Sequence, residues 1–485
     1  MINLKLIYKI IGQLLLLEAV MMAICMGLAF YCGEDDSLAF IISVSITIAA
    51  GFLLEYMGRE AENTLGRRDA YLVVTLTWLA FSLFGALPFL ISGYIKDPTN
   101  AFFETISGFT TTGCSILDDV ESFPHGLLFW RTMTQWIGGL GIVFFTIAVL
   151  PSMVGGNVKV FAAEATGPMR AKLHPRLSTT AKWIWTIYFV LTAACAACYY
   201  LSGMGTFDSL NYAMTTTATG GFSTHNDSTG FFHNAYIDYT AIVFMFLSGV
   251  SFTLLYTTLF KGQLKSFFKN VEFKLYVSII LMATIIISVF LIQDNGYNVL
   301  DAIRASLFQV TSFITTTGIF NDDAGQWHHI TWVILSICMF VGACSGSTGG
   351  GFKCIRAVMV LTILKNEIRR ILHPRAVLPV KVNNMSVPYS SQVTLLAFLA
   401  AYMMLCLFTY IVMTVIGIDS TNSITIAISC ASNAGPALDL GIGQPMTWGI
   451  LPDAIKWLLA ALMLMGRLEI LSVVVLFTPA FWQDH

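Results

Sequence analysis

The sequence predicts an all-α polytopic membrane protein of about ten transmembrane helices. Four pseudo-symmetric repeats, each a span, a short helix and a second span, would surround one central axis, with two extra N-terminal spans. Three observations favour this fold: 56% of the 485 residues are hydrophobic and 11% charged, apolar stretches of membrane-spanning length recur, and four Thr/Gly-rich segments repeat. Soluble domains carry about 25% charged residues. The net charge of -2 also argues against a nucleic-acid-binding protein.

The apolar stretches set the number of spans, since a helix needs about 20 apolar residues to cross the hydrocarbon core. The first is expected to be a retained span, because it is longer than a signal peptide's apolar region and a second stretch follows at once. An even number of spans places both termini on the same side. The predicted spans are 11–32, 38–57, 71–93, 129–151, 182–202, 236–260, 274–293, 330–361, 393–417 and 453–480.

The basic residues predict the orientation. Most of the 26 Lys and Arg lie at the N-terminus and in four connections on the same side, which predicts that both termini are cytoplasmic. The exceptions are Lys96, Arg131, Arg304, Lys456 and Arg467. Most acidic residues lie in the opposite connections. Either acids are simply tolerated outside, or they form an outer mouth that attracts cations.

Four segments align as internal repeats. They are FTTTGCS at 109–115, TTATGGFS at 216–223, ITTTGIF at 314–320 and CASNAGPAL at 430–438, with matched glycines Gly113, Gly220, Gly318 and Gly435. A short helix-like stretch precedes each segment, at 100–108, 208–216, 299–313 and 421–429. The chain is therefore expected to divide into two N-terminal spans (1–66) and four repeats (67–155, 156–262, 263–385 and 386–485).

These loops can bind a cation. Irregular backbone at membrane depth must be enclosed by protein or line a water-filled path, and glycine lets such a loop turn its carbonyl groups inward. Rings of backbone carbonyls replace the hydration shell of a monovalent cation, and the short helices could aim their negative C-terminal ends at it. The predicted filter residues are Thr111, Thr112, Gly113, Ala218, Thr219, Gly220, Thr316, Thr317, Gly318, Asn433, Ala434 and Gly435.

The whole pattern resembles the superfamily of potassium transporters built from four span-pore-span repeats, and within it the bacterial Trk-type uptake proteins. In that family, glycine at the filter position of all four repeats goes with potassium preference, and serine in the first repeat goes with sodium passage. The resemblance implies potassium here. Because the fourth repeat, ASNAGPAL, lacks the threonines, its part of the ring should coordinate the ion less symmetrically.

Two features bear on gating. The glycine-rich loop, GACSGSTGGGFK at 342–353, interrupts the second span of the third repeat, with Gly346, Gly349, Gly350 and Gly351 as expected gate residues. The resemblance implies a loop that blocks the permeation path and moves to open it; the alternative is a kinked span packed closely on a neighbour. Arg467, within the last span, is the other expected gate residue.

The resemblance implies that Arg467 projects into the pore beneath the filter, where its charge would raise the barrier for cations. The alternative is a buried structural pair. Glu469 lies only two positions on and points to another helix face, which argues against a simple pair with Arg467, and Glu18 offers another possible partner.

The expected function is potassium uptake across the bacterial inner membrane. A proton- or sodium-coupled symporter is the alternative mechanism, and a membrane-embedded enzyme is a distant one, since no HExxH or GxSxG motif is present. Potassium is expected as substrate, with no covalently bound cofactor. The resemblance implies a cytosolic nucleotide-binding regulatory ring, TrkA, which would carry any nucleotide, and a homodimer. Membrane lipid is a further expected partner.

Overall fold

The computed structural model describes residues 2–62, 66–139, 141, 177–383, 385–439, 442–443 and 447–483. Helices dominate this part of the chain, which confirms the predicted all-α class. Its strands form two antiparallel pairs of two residues each: β1 (Lys381–Val382) with β2 (Met385–Ser386), and β3 (Leu438–Asp439) with β4 (Ile442–Gly443).

The described helices alternate between long apolar elements and short ones. Asparagine and aspartate residues begin several of them: the Asn3 side chain accepts a hydrogen bond from the backbone N–H of Leu6, and Asp97 accepts one from Asn100. The first ten helices are α1 Leu4–Cys32, α2 Ser37–Met57, α3 Arg67–Gly85, α4 Leu87–Ser92, α5 Pro98–Phe109, α6 His125–Gly139, α7 Leu177–Leu201, α8 Thr206–Ala218, α9 Ala235–Ser248 and α10 Phe252–Lys261.

The remaining α-helices are α11 Leu264–Lys269, α12 Val271–Asp294, α13 Val299–Ile314, α14 His329–Val341, α15 Cys354–Leu372, α16 Tyr389–Ile416, α17 Ser420–Ser432, α18 Asp453–Arg467, α19 Ile470–Val474 and α20 Pro479–Trp482. Short 3₁₀ turns cover Ser228–Phe232, Ala324–Gln326, Trp448–Ile450 and Val475–Phe477.

Six of the described elements are long and apolar enough to cross a membrane: α1, α2, α3 with α4, α7, α12 and α16. Two further pairs of helices are apolar and long enough only when taken together, and each pair is sharply bent: α9 with α10, and α18 with residues 470–477. The predicted span at 129–151 lies partly outside the described residues. The protein is therefore a multi-pass membrane protein, with α1 and α2 forming a hairpin that packs on the first repeat.

Three second spans are broken, whereas the sequence predicted a break only in the third repeat. That predicted break is confirmed, because α14 ends at Val341 and α15 begins at Cys354. The apolar stretches predicted at 236–260 and 453–480 are each divided by a sharp bend. The chain bends by 97° between α9 and α10 and by 114° between α18 and α19. A side chain at Gly249 would overlap the Tyr276 hydroxyl, so this break lies where neighbouring elements approach closely.

The short helices α5, α8, α13 and α17 correspond to the four predicted helix-like stretches, which confirms those stretches. Their C-terminal halves are almost entirely buried, although they carry many threonines and serines. The long helices instead expose large apolar side chains, such as Met282 and Ile285 at 64% each. Polar groups lie inside and apolar groups outside, as expected of a protein whose solvent is lipid.

Candidate functional site

The four short helices end in the same way. After each helix, the backbone N–H of one loop residue reaches back five positions to a helix carbonyl. These bonds are Thr112 to Ser107 at 2.8 Å, Gly220 to Thr215 at 2.9 Å, Thr317 to Ser312 at 2.8 Å and Ala434 to Ser429 at 2.9 Å. Four helix ends with one hydrogen-bond pattern show that the four loops are structurally equivalent.

The residue before each of these N–H donors has a left-handed backbone. The φ angle is 54° at Thr111, 54° at Thr219, 55° at Thr316 and 55° at Asn433. L-residues adopt this region at a cost of about 1–2 kcal/mol. The same strain at all four equivalent positions indicates that the surrounding structure imposes it, as is typical of functional loops.

Two positions further along each loop lies a glycine with positive φ: Gly113 (84°), Gly221 (89°), Gly318 (79°) and Gly435 (96°). We call these four residues the glycine ring. A Cβ on each would overlap a backbone carbonyl oxygen of the next loop: Gly113 with Gly220, Gly221 with Thr317, Gly318 with Ala434, and Gly435 with Thr112. The contacts pass from repeat 1 to 2, 3, 4 and back to 1. The loops therefore close into a cycle around one axis.

The cycle shows which glycine of the second loop is equivalent to Gly113, Gly318 and Gly435. The sequence matched Gly220 to the other three glycines, but Gly221 has the positive φ and the contact with the third loop. Gly220 instead stands level with Thr112, Thr317 and Ala434. Ala218 is the last residue of α8, so it precedes the loop. The other ten predicted filter residues, Thr219 among them, lie at equivalent positions in the cycle.

Different side chains contact the middle residue of each loop, which lies between the left-handed residue and the glycine-ring residue. In the first and third loops, hydroxyl pairs at 2.7 Å join Thr110 to Thr112 and Thr315 to Thr317. Gly220 has no side chain, and Gln135 of α6 fills the space. Its Nε2 donates to the Gly220 carbonyl at 2.6 Å, and its Oε1 accepts from the Phe222 N–H at 3.1 Å and the Thr215 hydroxyl at 2.7 Å.

The fourth loop differs from the others in its side-chain contacts, because it has asparagine and alanine in place of threonines. The Asn433 side chain donates to the Thr112 hydroxyl at 3.0 Å and to the Met463 carbonyl at 2.8 Å. It therefore ties the fourth loop to the first loop and to α18. The backbone of this loop keeps the common shape, while its side-chain contacts are its own.

A buried ion pair supports the cycle from behind. Arg131 and Glu104 are 2% and 1% exposed, and the Arg131 Nε lies 2.7 Å from Glu104 Oε1. Glu104 accepts from the Ile116 N–H at 2.9 Å, and Arg131 donates to the Ser223 carbonyl at 3.0 Å. The guanidinium also lies 4.1 Å from the centre of the Phe222 ring. The pair thus connects the chain just after the first loop to that after the second.

The glycine-rich loop packs against the ends of three short helices. The Gly350 N–H donates to the Thr316 hydroxyl at 2.6 Å, and the Gly351 N–H donates to the Ser432 carbonyl at 2.8 Å. The Thr348 hydroxyl donates to the Thr217 carbonyl at 3.1 Å. A Cβ on Gly350 would overlap the Ser432 carbonyl. These contacts place the glycine-rich loop against the helix ends that lead into the second, third and fourth of the four equivalent loops.

Arg467 holds this loop in place. Its guanidinium donates to the Thr348 carbonyl at 3.0 Å, to the Gly139 carbonyl at 2.8 Å and to the Gly138 carbonyl. It therefore bridges the last repeat, the glycine-rich loop and the end of α6. Glu469 pairs instead with Arg356, the guanidinium of which also covers the Phe398 ring at 4.2 Å. Glu18 lies elsewhere, buried against Gly85.

Glu272 and Lys353 also hold the glycine-rich loop in position through hydrogen bonds. Glu272 in the first turn of α12 accepts hydrogen bonds from the N–H groups of Ser345 at 2.5 Å and Ile355 at 3.1 Å. One carboxylate therefore holds both ends of the loop. Lys353 donates to the Gly349 carbonyl within the loop, with a left-handed φ of 79°.

Several acids in the connections that are expected to lie outside form ion pairs. Arg304 pairs with Asp238 and Asp301, and Lys456 with Asp453. Arg304 and Lys456 are exceptions to the predicted distribution of basic residues, and these pairs neutralise their charges. Glu104 does the same for Arg131.

His225, in the connection after the second loop, lies between two carboxylates. Its Nδ1 is 3.3 Å from Glu121 and its Nε2 is 3.5 Å from Asp208. Burial lowers the pKa of His225, but the two carboxylates outweigh burial and raise the pKa above its usual value.

Sequence reasoning missed Gln135, the Glu104–Arg131 pair and the Glu469–Arg356 pair. The spacing of glycines could have signalled the other helix breaks. Gly138, Gly249, Gly342 and Gly466 follow the glycine-ring residues of their own repeats by 25, 28, 24 and 31 residues.

The fold and the loop cycle define the class: a polytopic α-helical membrane protein with four equivalent loops gathered on one axis. Known proteins are similar to this chain in sequence and in fold. The profile of the TrkH family, described as cation transport proteins, matches residues 36–484. The chain is 36% identical to the Trk system potassium uptake protein TrkH of Halomonas elongata, over 99% of this chain and 100% of that protein.

It is also 34% identical to TrkH of Escherichia coli K12, over 99% of both chains. The crystal structure of the potassium transporter TrkH from Vibrio parahaemolyticus superposes with a TM-score of 0.90 at 32% identity, over 99% of both chains. The chain therefore belongs to the TrkH family of cation transport proteins. These relatives are named as transporters and not as enzymes.

Proposed function

We propose that this protein takes up potassium across the bacterial inner membrane, through a filter formed by residues 111–113, 219–221, 316–318 and 433–435. The closed cycle of glycine-to-carbonyl contacts carries the proposal. Four equivalent loops that touch in turn around one axis can present backbone carbonyls to a single dehydrated ion. Glycine occupies all four ring positions, which the family resemblance links to potassium, and the relatives are named potassium transporters.

In this proposal the glycine-rich loop is the gate, and the hydrogen bonds of Arg467 hold the gate closed. The loop lies against the ends of three short helices, where it fills the path below the filter. Arg467 adds a positive charge at the same level and joins the loop to α6. Opening requires the loop to leave the Thr316 hydroxyl and the Ser432 carbonyl, so a ligand that stabilises the displaced loop would open the path.

The cytoplasmic partner is proposed to be a TrkA ring, acting on a homodimer with both termini in the cytoplasm. The relatives are named as parts of a Trk system. The C-terminal half of α15 carries exposed Arg369 and Arg370, and this basic helix continues from the glycine-rich loop. A partner that binds α15 could therefore move the loop directly.

Tracer rubidium uptake into liposomes that contain the purified protein tests the proposal. We expect uptake driven by a potassium gradient, raised by TrkA with the appropriate nucleotide. Absence of uptake in every regulatory state, with correctly folded protein, would refute it. Reversal potentials distinguish the mechanisms: dependence on potassium alone indicates a gated channel, and a shift with pH or sodium indicates coupled symport.

A further inference from the structure

Three metal-binding side chains meet on the outer side of the protein. Cys32 ends α1, Glu34 lies in the connection to α2, and His125 is the first residue of α6. One ligand atom from each lies within 4.8 Å of the other two. Because His125 is 91 residues from Glu34 in the chain, only the tertiary fold creates this cluster.

The cluster is ordered and accessible. Glu34 Oε2 accepts a hydrogen bond from the His125 backbone N–H at 2.6 Å, and Glu34 Oε1 lies 2.7 Å from His125 Nδ1. The imidazole also packs edge-on against Phe207, with ring centres 4.6 Å apart. The side chains of His125 and Glu34 are 49% and 27% exposed. Of the ten cysteines, all in described residues, Cys32 alone is classed as exposed.

A thiolate, an imidazole and a carboxylate are ligands that Zn²⁺ accepts, at about 2.0–2.3 Å. Tetrahedral coordination requires neighbouring donor atoms roughly 3–4 Å apart, and the three donor atoms here lie within 4.8 Å of one another. Calcium and magnesium prefer oxygen ligands only, so sulfur and nitrogen disfavour them. Asp35 and Asp36 follow Glu34 directly and add negative charge nearby.

We propose that Cys32, Glu34 and His125 form a Zn²⁺-binding site on the outer face. The three side chains fill three coordination positions, and water fills the fourth. The metal joins the α1–α2 hairpin to α6, which is the helix that ends at the Arg467 contacts with Gly138 and Gly139.

Zinc binding is measured on the purified full-length protein after chelator treatment and removal of the chelator. A chromophoric zinc competitor gives the affinity, and alkylation by a water-soluble maleimide reports on Cys32. We expect tight binding at micromolar free Zn²⁺ and protection of Cys32 from alkylation by Zn²⁺ but not by Mg²⁺ or Ca²⁺. Cys32→Ser and His125→Gln should each lower the affinity about tenfold or more.

The controls are Cys198→Ser and His233→Gln, which remove a thiol and an exposed imidazole away from the cluster and should leave the affinity unchanged. The protection assay on the unsubstituted protein needs no variant to fold. Failure of Zn²⁺ to protect Cys32, or binding that is unchanged in Cys32→Ser and His125→Gln, would overturn the proposal.

Discussion

The position of Gly221 in the glycine ring makes a sharp prediction. Gly221 has φ 89°, and a Cβ there would overlap the Thr317 carbonyl oxygen of the next loop. Alanine at this site adds left-handed strain of about 1–2 kcal/mol and an overlap with backbone that we place at about 1–3 kcal/mol. We expect Gly221→Ala to destabilise the protein by about 2–5 kcal/mol in total and to abolish selective uptake.

Gly203 provides the matched control. Its φ is 104°, so alanine there carries similar backbone strain, but the nearest atom to the added Cβ is Asn234 Nδ2 at 3.8 Å, an ordinary contact. Gly203→Ala should cost about 1–2 kcal/mol and leave rubidium uptake unchanged. The difference between the two variants isolates the collision within the ring.

Substitutions at Gly220 test whether Gly221, as in the structure, or Gly220, as in the sequence alignment, belongs to the glycine ring. A Cβ at Gly220 would run into the Gln135 side chain, whereas at Gly221 the obstacle is backbone of the third loop. Gln135→Ala removes the two nearest obstructing atoms, Cδ and Oε1, although its Cβ stays 2.9 Å from the added methyl group. It also removes three hydrogen bonds, at a cost of about 1.5–4.5 kcal/mol. A double-mutant cycle of Gly220→Ala with Gln135→Ala should show a favourable coupling of about 0.5–3 kcal/mol. The cycle with Gly221→Ala should show a clearly smaller coupling.

Thermal unfolding in detergent and tracer rubidium uptake in liposomes measure these effects. The assigned register is wrong if Gly221→Ala keeps normal uptake and stability while Gly220→Ala loses both regardless of Gln135. Gly220 would then belong to the ring, as the sequence alignment suggested.

Three further predictions concern the surroundings of the filter. Glu104→Gln leaves Arg131 buried without its counter-charge, so it should lower the free energy of unfolding by about 3–5 kcal/mol. Replacement of both residues by Met should recover most of that loss. Equal thermal stability of Glu104→Gln and the unsubstituted protein would contradict this prediction. Gly350→Ala should prevent the glycine-rich loop from packing against the helix ends, and so raise rubidium uptake measured without a partner protein. Gly346→Ala, with 3.3 Å between its Cβ and the nearest side-chain atom, should raise this uptake less. A normal basal rate of uptake in Gly350→Ala would argue against the gate. Because the folded protein raises the pKa of His225, its pairs stabilise the fold below the unfolded value near 6.5, and this contribution disappears as pH rises through the folded value. The melting temperature of His225→Gln should therefore fall furthest below that of the unsubstituted protein at about pH 5.5 and approach it by about pH 8; a gap that does not depend on pH would contradict the assignment.

The local pattern predicted most of the fold. Apolar runs of span length and four Thr/Gly segments follow from the chain itself, since each reflects one helix or one turn. The register of the second loop was wrong by one residue because Gly220 and Gly221 are adjacent and either satisfies the pattern. Only the backbone angles and the contact with Thr317 distinguish them.

Side-chain partners could not be predicted in the same way. Glu104 and Arg131 lie on different helices, and Arg356 meets Glu469 across 113 residues. A sequence shows that a charge in a span must be compensated, because a lone charge in lipid is costly. It does not show which distant residue compensates it. The bends at Gly249 and after Arg467 likewise depend on how neighbouring elements pack.

The sequence by itself determined that this chain lies in a membrane, how its helices repeat and where irregular backbone must be enclosed, because hydrophobic length and glycine content act locally. The tertiary structure alone decided that the four loops close into a cycle, that Gly221 completes it and that Arg467 contacts both the glycine-rich loop and the end of α6. Those features depend on contacts between residues up to 329 positions apart, and such contacts exist only once the repeats have assembled around their axis.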